Sequence, residues 1–292
     1  MTIIRDCIAP DRNPKVPGIK LPEGSIDTHV HIFESQYPLF EGRGYNPPDS
    51  TLDDLKHLHS QLGVSRVVYT QPSPYGVDNS AILKGMKVMN DETPGRARGV
   101  CAITMDVTDN FLEDLDKQGI KGVRLNMDNI GGMPIGLDEI PSLEARIKDL
   151  GWHVEYLFPG KDIVELAPIF KKSSVPISIA HFAYQPATNG IDSEGFKTLL
   201  DLVRDGNTWI KISGANRVSA TDLPPYDDVM PMARALIEAN HDNIMWGTDW
   251  PHPNKYEVNP NDGDLVVALI DDTETTLKRF KRSGPKIILK AE

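Results

Sequence analysis

The chain is poor in cysteine and has no long apolar run, and each shortage excludes a class of protein. Two cysteines in 292 residues, Cys7 and Cys101, are too few for a disulfide framework and wrongly spaced for a zinc ribbon. Cys101 lies in an apolar stretch and is expected in the core. No stretch approaches the roughly 18 apolar residues of a membrane span, and the N-terminus lacks the apolar segment of a signal peptide. The sequence therefore predicts a cytoplasmic protein.

A surplus of positive charge is also missing, because the formal net charge is −11. Nucleic acids and anionic membranes are recognised by clusters of Lys and Arg, so neither is expected as a partner. A small anionic molecule is still compatible with this charge, since a few inward-facing Arg residues can reverse the local field. The oligomeric state stays open, with a homodimer as one expectation.

Short apolar runs alternate with amphipathic helical patterns along the chain. This alternation is typical of a parallel sheet with helices outside it, and eight units predict closure into a (β/α)8 TIM barrel. An open doubly wound sheet is the alternative, although no glycine-rich phosphate loop follows the first strand. The predicted strands are Ser25–Phe33, Val64–Gln71, Arg98–Met105, Gly122–Met127, Trp152–Phe158, Val175–His181, Asn207–Gly214 and Ile244–Asp249. The predicted helices are Leu52–Leu62, Asn79–Met89, Phe111–Gln118, Leu143–Leu150, Ile163–Phe170, Phe196–Arg204, Val229–Ala239 and Asp264–Arg282.

No linker divides the chain, so residues 1–292 are expected to form a single barrel domain. Residues 1–21, rich in proline and charge, are interpreted as an N-terminal arm along the surface. The insertion Glu34–Ser50 follows the first strand and is crowded with Gly, Pro and Tyr. We expect it to lie over the barrel mouth.

Polar side chains at the carboxyl ends of the strands identify a candidate site, because barrel enzymes place their chemistry there. Side chains alternate along the first strand, so Asp27, His29 and His31 share its inward face. His181 ends the sixth strand and Asp249 ends the eighth. Each residue alone has an ordinary structural explanation, such as a core histidine or a turn aspartate. Their combination at the ends of three strands of one barrel predicts a catalytic centre.

These residues and their flanking motifs resemble the amidohydrolase superfamily. The runs Ile26–Phe33 and Trp246–Pro253 are similar to the branch that contains 2-pyrone-4,6-dicarboxylate lactonase, near sulfomuconolactone hydrolase and the sugar-acid lactonases and isomerases. The resemblance implies a hydrolase that opens a small anionic lactone of the pyrone dicarboxylate or muconolactone type. A metal-dependent non-oxidative decarboxylase and a sugar-acid lactone isomerase are the alternatives within the superfamily. A barrel that binds ligand without catalysis is the alternative from another class.

The same resemblance implies a role for each residue of the centre. Asp249 is expected to act as general base toward water, while His29, His31 and His181 polarise the lactone carbonyl directly or through a metal ion. The four side chains could hold one zinc or manganese ion. The pyrone lactonase branch implies a reaction without metal, so both possibilities stay open.

Residues on other strands are expected to bind the substrate. Arg124 lies on the fourth strand, Tyr156 is predicted on the inward face of the fifth, and Arg217 follows the seventh. The guanidinium fork matches a carboxylate, whereas a surface salt bridge is the structural alternative. Two further candidates are Ser73 and Asn254.

Two charged side chains are expected in the barrel interior below the site. Asp27 lies one layer deeper than His29, and Lys211 lies between apolar neighbours in the seventh strand. An unpaired buried charge would cost several kcal/mol, so we expect Asp27 and Lys211 to approach each other directly, through water or through a shared histidine. The alternative is that Lys211 faces outward and reaches solvent between helices.

Overall fold

The computed structural model describes residues 4–128, 134–221, 224–256, 263, 265–270, 274–283 and 286–291. An eight-stranded parallel sheet holds its strands in chain order, each beside the next. The strands are β1 (Ile26–Val30), β2 (Arg66–Thr70), β3 (Ala97–Cys101), β4 (Ile120–Asn126), β5 (His153–Leu157), β6 (Ile177–Ile179), β7 (Thr208–Lys211) and β8 (Ile244–Met245).

Helices follow the first seven strands and present an apolar face to the sheet. They are α1 (Leu52–Leu62), α2 (Ser80–Glu92), α3 (Asp109–Lys117), α4 (Ile140–Ile147), α5 (Ile163–Phe170), α6 (Glu194–Arg204), α7 (Ala215–Val218) and α8 (Met230–Asn240). The bounds of α1 show how local sequence fixes a helix. Thr51 and Asp54 form a reciprocal capping box at its start, and Gly63 ends it with a left-handed φ of 76°.

Hydrogen bonds between β1 and the segment that follows β8 close the sheet into a barrel. The Thr28 N–H donates to the Trp246 carbonyl at 3.2 Å, and the Asp249 N–H donates to the His29 carbonyl at 2.9 Å. A Cβ at Gly247 would lie 2.9 Å from the His29 backbone nitrogen, so glycine permits this close approach. The predicted (β/α)8 barrel is confirmed.

The end of the chain departs from the expected barrel pattern. The chain divides into two compact units, residues 1–254 and 255–292. The second unit contains an antiparallel sheet of β9 (Leu265–Ile270), β10 (Glu274–Ser283) and β11 (Lys286–Lys290). The predicted helix Asp264–Arg282 is therefore wrong. Valine and threonine in this segment favour strands, and the expectation of an eighth helix outweighed that preference. A single domain for the whole chain stays a prediction.

The N-terminal segment is tied to the insertion after β1. Arg5–Asp6 pairs in parallel with Tyr45–Asn46. The Cys101 thiol is buried, as expected. Among the helices that the structure describes, none is both long and apolar enough to cross a membrane.

The two interior charges have different partners from those expected. Asp27 accepts hydrogen bonds from the Thr248 N–H at 2.9 Å and the Thr248 hydroxyl at 2.6 Å, and His59 Nε2 lies 3.2 Å from its second oxygen. Lys211 instead forms a very short ion pair with Glu155. The expected direct pairing of Asp27 with Lys211 is therefore corrected, because Glu155 supplies the carboxylate. Both charges are buried, so the alternative of an outward-facing Lys211 is also excluded.

We predict that Asp27→Ala lowers the free energy of unfolding by about 2–4 kcal/mol, because it leaves buried His59 and the half-buried Thr248 donors without their acceptor. Urea denaturation followed by circular dichroism measures this change. Asp192→Ala, which removes an almost fully exposed carboxylate, should stay within about 0.5 kcal/mol of wild type. Equal stability of the two variants would show that Asp27 does not anchor the segment after β8.

Candidate active site

Three imidazoles and one carboxylate meet at the carboxyl end of the barrel. His29 lies on β1, His31 directly beyond it, His181 after β6 and Asp249 after β8. The Nε2 atoms of His181, His29 and His31 lie 3.5, 3.8 and 3.9 Å from Asp249 Oδ1. All four side chains are buried. The structure thus brings together the four residues that the strand-end pattern singled out.

Unusual backbone conformations aim two of these side chains. His181 has a φ of 51° and Asp249 a φ of 60°. Residues other than glycine rarely adopt this left-handed region, and such strain is concentrated at functional sites. The residues that follow His181, through Tyr184, also have positive φ values. The direction of the His181 ring therefore follows from this turn and not from the alternation of β6.

The three imidazoles are neutral in the folded protein. Burial is the main cause that lowers the pKa of both His31 and His181 to about 3, against the opposing effect of Asp249. Burial, with Lys211 nearby, also brings the pKa of His29 well below its ordinary value. His31 Nδ1 lies 2.7 Å from the Thr70 carbonyl, which can only accept, so this nitrogen carries the proton. Neutral His31 consequently presents a lone pair at Nε2.

Asp249 is held as a carboxylate by a guanidinium. Arg217 Nε donates to Asp249 Oδ2 at 2.6 Å, and its Nη2 donates to the Pro253 carbonyl at 3.0 Å. Burial alone would raise the pKa of Asp249, but the Arg217 guanidinium opposes this effect, and the pKa lies below its usual range. The sequence suggested substrate binding for Arg217, and its contact with Asp249 was not foreseen.

A small cavity that opens to solvent lies beside this centre. Most of the predicted substrate-binding residues contribute to its wall, together with two tyrosines that the sequence reasoning missed. One of them, Tyr45, belongs to the insertion Glu34–Ser50, as expected for a segment over the barrel mouth. The polar or charged lining residues beyond the catalytic centre are Tyr45, Ser73, Arg124, Asn126, Tyr184, Arg217 and Asn254.

The side chains of β5 point in the opposite directions from those predicted. The Tyr156 ring packs against Phe170 of α5, with ring centroids 4.7 Å apart. Glu155, fully buried, points into the barrel, where Oε1 lies 3.7 Å from Arg124 Nε. The expectation that Tyr156 binds the substrate is therefore wrong. A carboxylate between apolar neighbours of β5 was the available signal, the same kind of signal that singled out Lys211.

The donor set meets the requirements of a metal site only in part. His29, His31 and Asp249 each offer one ligand atom, and these three atoms lie within 4.8 Å of one another. A metal-bound imidazole normally donates its other ring N–H to an acceptor. His31 meets this condition through Thr70, whereas Nδ1 of His29 lies 3.2 Å from the Lys211 ammonium, which is itself a donor. The donor set therefore meets this requirement at His31 and does not meet it at His29.

Comparison with known proteins gives a consistent set of relatives. The sequence model of the family described as "Amidohydrolase" matches residues 26–281. The 4-sulfomuconolactone hydrolase of Hydrogenophaga intermedia is 35% identical over 270 residues, which cover 91% of this chain and 88% of that protein. The 2-pyrone-4,6-dicarboxylate hydrolase of Comamonas testosteroni is 35% identical over 264 residues, 87% of this chain and 85% of that protein. A crystal structure of a probable 2-pyrone-4,6-dicarboxylic acid hydrolase from Acinetobacter baumannii, with citric acid bound, aligns with a TM-score of 0.68 and 29% identity, over 79% of this chain and 85% of that one.

We predict that Arg217→Met raises the pKa of Asp249, because burial then acts without the guanidinium that opposes it. The carboxyl 13C shift of Asp249, followed by NMR as the pH is lowered, measures this pKa. The wild-type carboxyl should stay ionised through the acid range in which the fold persists, and the variant should titrate at least about one pH unit higher. Arg124→Met is the matched control, and a titration of Asp249 that is equal in both variants would contradict the prediction.

Proposed function

Because the chain belongs to the amidohydrolase family, we propose that its barrel-mouth site hydrolyses a small lactone that carries an acidic substituent. One observation carries the proposal: the buried Asp249 carboxylate, with three neutral imidazoles within 4 Å, faces a cavity that Arg124 and Arg217 also line. A base, hydrogen-bonding imidazoles and cations are the parts that opening an anionic lactone requires.

The chemistry begins with a water molecule beside Asp249. The carboxylate accepts a proton as the water oxygen bonds to the acyl carbon, and negative charge develops on the carbonyl oxygen. When the tetrahedral intermediate collapses, the bond from the acyl carbon to the ring oxygen breaks. Protonated Asp249 returns its proton to that oxygen, which gives the ring-opened acid and regenerates the carboxylate.

His181 is suited to the carbonyl oxygen. Its Nδ1 lies 2.9 Å from the Ser213 hydroxyl, which can donate to it. When the hydroxyl donates, the proton of the neutral ring is on Nε2, and His181 lines the cavity. An N–H donor aimed at the developing oxyanion stabilises the transition state more than the ground state.

Binding of the acidic substituent is assigned to the cations and polar groups that line the cavity. Arg124 donates through one Nη to the Gln71 carbonyl at 2.7 Å, which fixes its direction. Arg217, Ser73 and Asn254 line the same cavity. Two relatives are named for lactones with sulfonate or carboxylate groups, and a third holds citric acid, a tricarboxylate. These names support an acidic ring as the substrate of this chain.

A zinc or manganese ion at this centre stays a prediction from the family resemblance. The contacts of His29 weigh against it, and the roles assigned above need only side chains of the chain. Hydrolysis, decarboxylation and isomerisation give different products from the same centre, so product analysis separates them.

The proposal is tested by incubating the purified protein with sulfomuconolactone, pyrone dicarboxylate and a neutral lactone of similar size, then analysing the products by mass spectrometry. An acidic lactone should gain one water molecule, and the neutral lactone should react far more slowly. Release of carbon dioxide, or a product of unchanged mass, would refute lactone hydrolysis in favour of a decarboxylase or an isomerase.

We predict that Asp249→Asn lowers kcat by about 10²–10⁴-fold, because an amide cannot accept the proton of water. Binding of the substrate should persist, since Arg217 loses its counter-ion and stays available for an anion. Steady-state kinetics and calorimetric titration of the inactive variant measure the two effects. Asp192→Asn, at an almost fully exposed carboxylate, is the control, and a kcat above about a tenth of wild type in Asp249→Asn would remove the base assignment.

We predict that Arg124→Met raises KM for acidic lactones at least about tenfold, because a buried charge pair is worth roughly 2–5 kcal/mol on truncation. The KM for a neutral lactone should change by less than about threefold, since no substituent charge is lost. Arg98→Met, at an exposed arginine on β3, controls for removing an arginine from the barrel. Equal changes for charged and neutral substrates would mean that Arg124 is structural.

A further inference from the structure

One buried ammonium below the catalytic centre contacts three acceptors. Lys211 Nζ lies 2.8 Å from the Thr28 carbonyl, 3.2 Å from His29 Nδ1, and in very short contact with Glu155 Oε2. Lys211 is 2% exposed and Glu155 is fully buried, so solvent does not compete for these contacts. An ammonium has three protons and accepts none, so each of its N–H bonds has one acceptor.

Glu155 is ionised in this arrangement. Burial alone would raise the pKa of its carboxyl, but Lys211 and Arg124 beside it bring the pKa below the ordinary value. The carboxylate and the Thr28 carbonyl can only accept hydrogen bonds. The third N–H of Lys211 is therefore directed at His29 Nδ1, which must present a lone pair.

The proton of His29 follows from that contact. A neutral imidazole carries one proton, and Nδ1 is the acceptor here, so the proton is on Nε2. His31 has the opposite arrangement, because the Thr70 carbonyl holds its proton on Nδ1. The two histidines, one on β1 and one just beyond it, thus face Asp249 with different atoms, an N–H from His29 and a lone pair from His31.

These two histidines and Asp249 Oδ1 form a set of one donor and two acceptors. Their facing atoms lie within 4.8 Å of one another, so one oxygen atom can lie at about 2.8 Å from all three. Within the part of the chain that the structure describes, His29 Nε2 and Asp249 Oδ1 have no hydrogen-bond partner. A carbonyl oxygen needs donors only, whereas a water molecule offers two protons and accepts one N–H.

We propose that Lys211 and Glu155 are positioning residues that fix the His29 proton on Nε2, and that His29, His31 and Asp249 thereby hold the attacking water. This inference rests on the proposed hydrolysis and changes two of the expected roles, since His29 and His31 bind water and His181 alone of the three faces the carbonyl. The water donates to Asp249 Oδ1 and His31 Nε2 and accepts from His29. One lone pair stays directed at the acyl carbon, and the proton moves to Asp249 as the new C–O bond forms.

The first test measures the His29 tautomer in substrate-free wild-type protein labelled with 15N-histidine. Two-bond 15N–1H NMR correlations separate protonated from unprotonated ring nitrogens, and loss of signals in His29→Asn assigns the residue. We expect a protonated Nε2 and an unprotonated Nδ1 for His29, and the reverse for His31. A protonated Nδ1 on His29 would overturn the proposal.

The second test removes the ammonium. In Lys211→Met, Glu155 Oε1, 3.7 Å from His29 Nδ1, becomes the nearest charged acceptor, so the proton should move to Nδ1. The double variant Lys211→Met/Glu155→Gln avoids a lone buried carboxylate and should also release the proton from Nε2. Lys121→Met is the control, since it removes a half-exposed lysine that pairs with Asp116. An unchanged His29 tautomer in both test variants would exclude a role for Lys211.

Kinetics link the tautomer to the reaction. With His29 Nε2 unprotonated, three acceptors face a water that has two protons, so kcat should fall at least about tenfold through misplacement of the nucleophile. KM should change by less than about threefold, because the groups that bind the acidic substituent are untouched. A shifted tautomer with unchanged kcat would refute the water site. If no lactone is hydrolysed by wild type, the proposed function fails, while the tautomer measurement still decides the role of Lys211.

Discussion

The ion pair between Lys211 and Glu155 is the interaction on which the arrangement of the site depends. It joins β7 to β5 across the barrel interior, and through the Thr28 carbonyl and His29 it also reaches β1. Removing two charges from water costs several kcal/mol per ion, and their attraction repays this only when the remaining hydrogen bonds are also satisfied. Here the pair uses every proton of the ammonium. It therefore determines a hydrogen-bond pattern as well as joining strands.

Charged side chains continue from the Lys211–Glu155 pair to the cavity. Arg124 lies between Glu155 and the cavity, and Arg217 pairs with Asp249. The interior of a chain with net charge −11 is thus lined with cations where an anionic ligand would enter. The same cations, with burial, keep the histidines neutral, so Asp249 is the ionised base among groups that direct protons.

The sequence alone determined the barrel and the members of its centre. Alternation of apolar runs and amphipathic patterns requires parallel strands with helices outside, and the observed bounds of α1 and α5 match the prediction. Catalytic groups of a barrel collect at the carboxyl ends of its strands. Finding His29, His31, His181 and Asp249 at such ends was therefore enough to predict their meeting before any distance was known.

Only the tertiary structure decided which faces and partners these side chains have. Strands of a parallel barrel are buried on both faces, so alternation does not fix their phase, and a shift of one residue exchanged Tyr156 for Glu155. Long charged side chains choose partners across the barrel, which is why Lys211 joins Glu155 and Arg217 joins Asp249. The left-handed turn at His181 likewise depended on context that local pattern does not contain. Sequence periodicity fixes which residues approach one another, whereas hydrogen-bond direction depends on atomic positions in three dimensions.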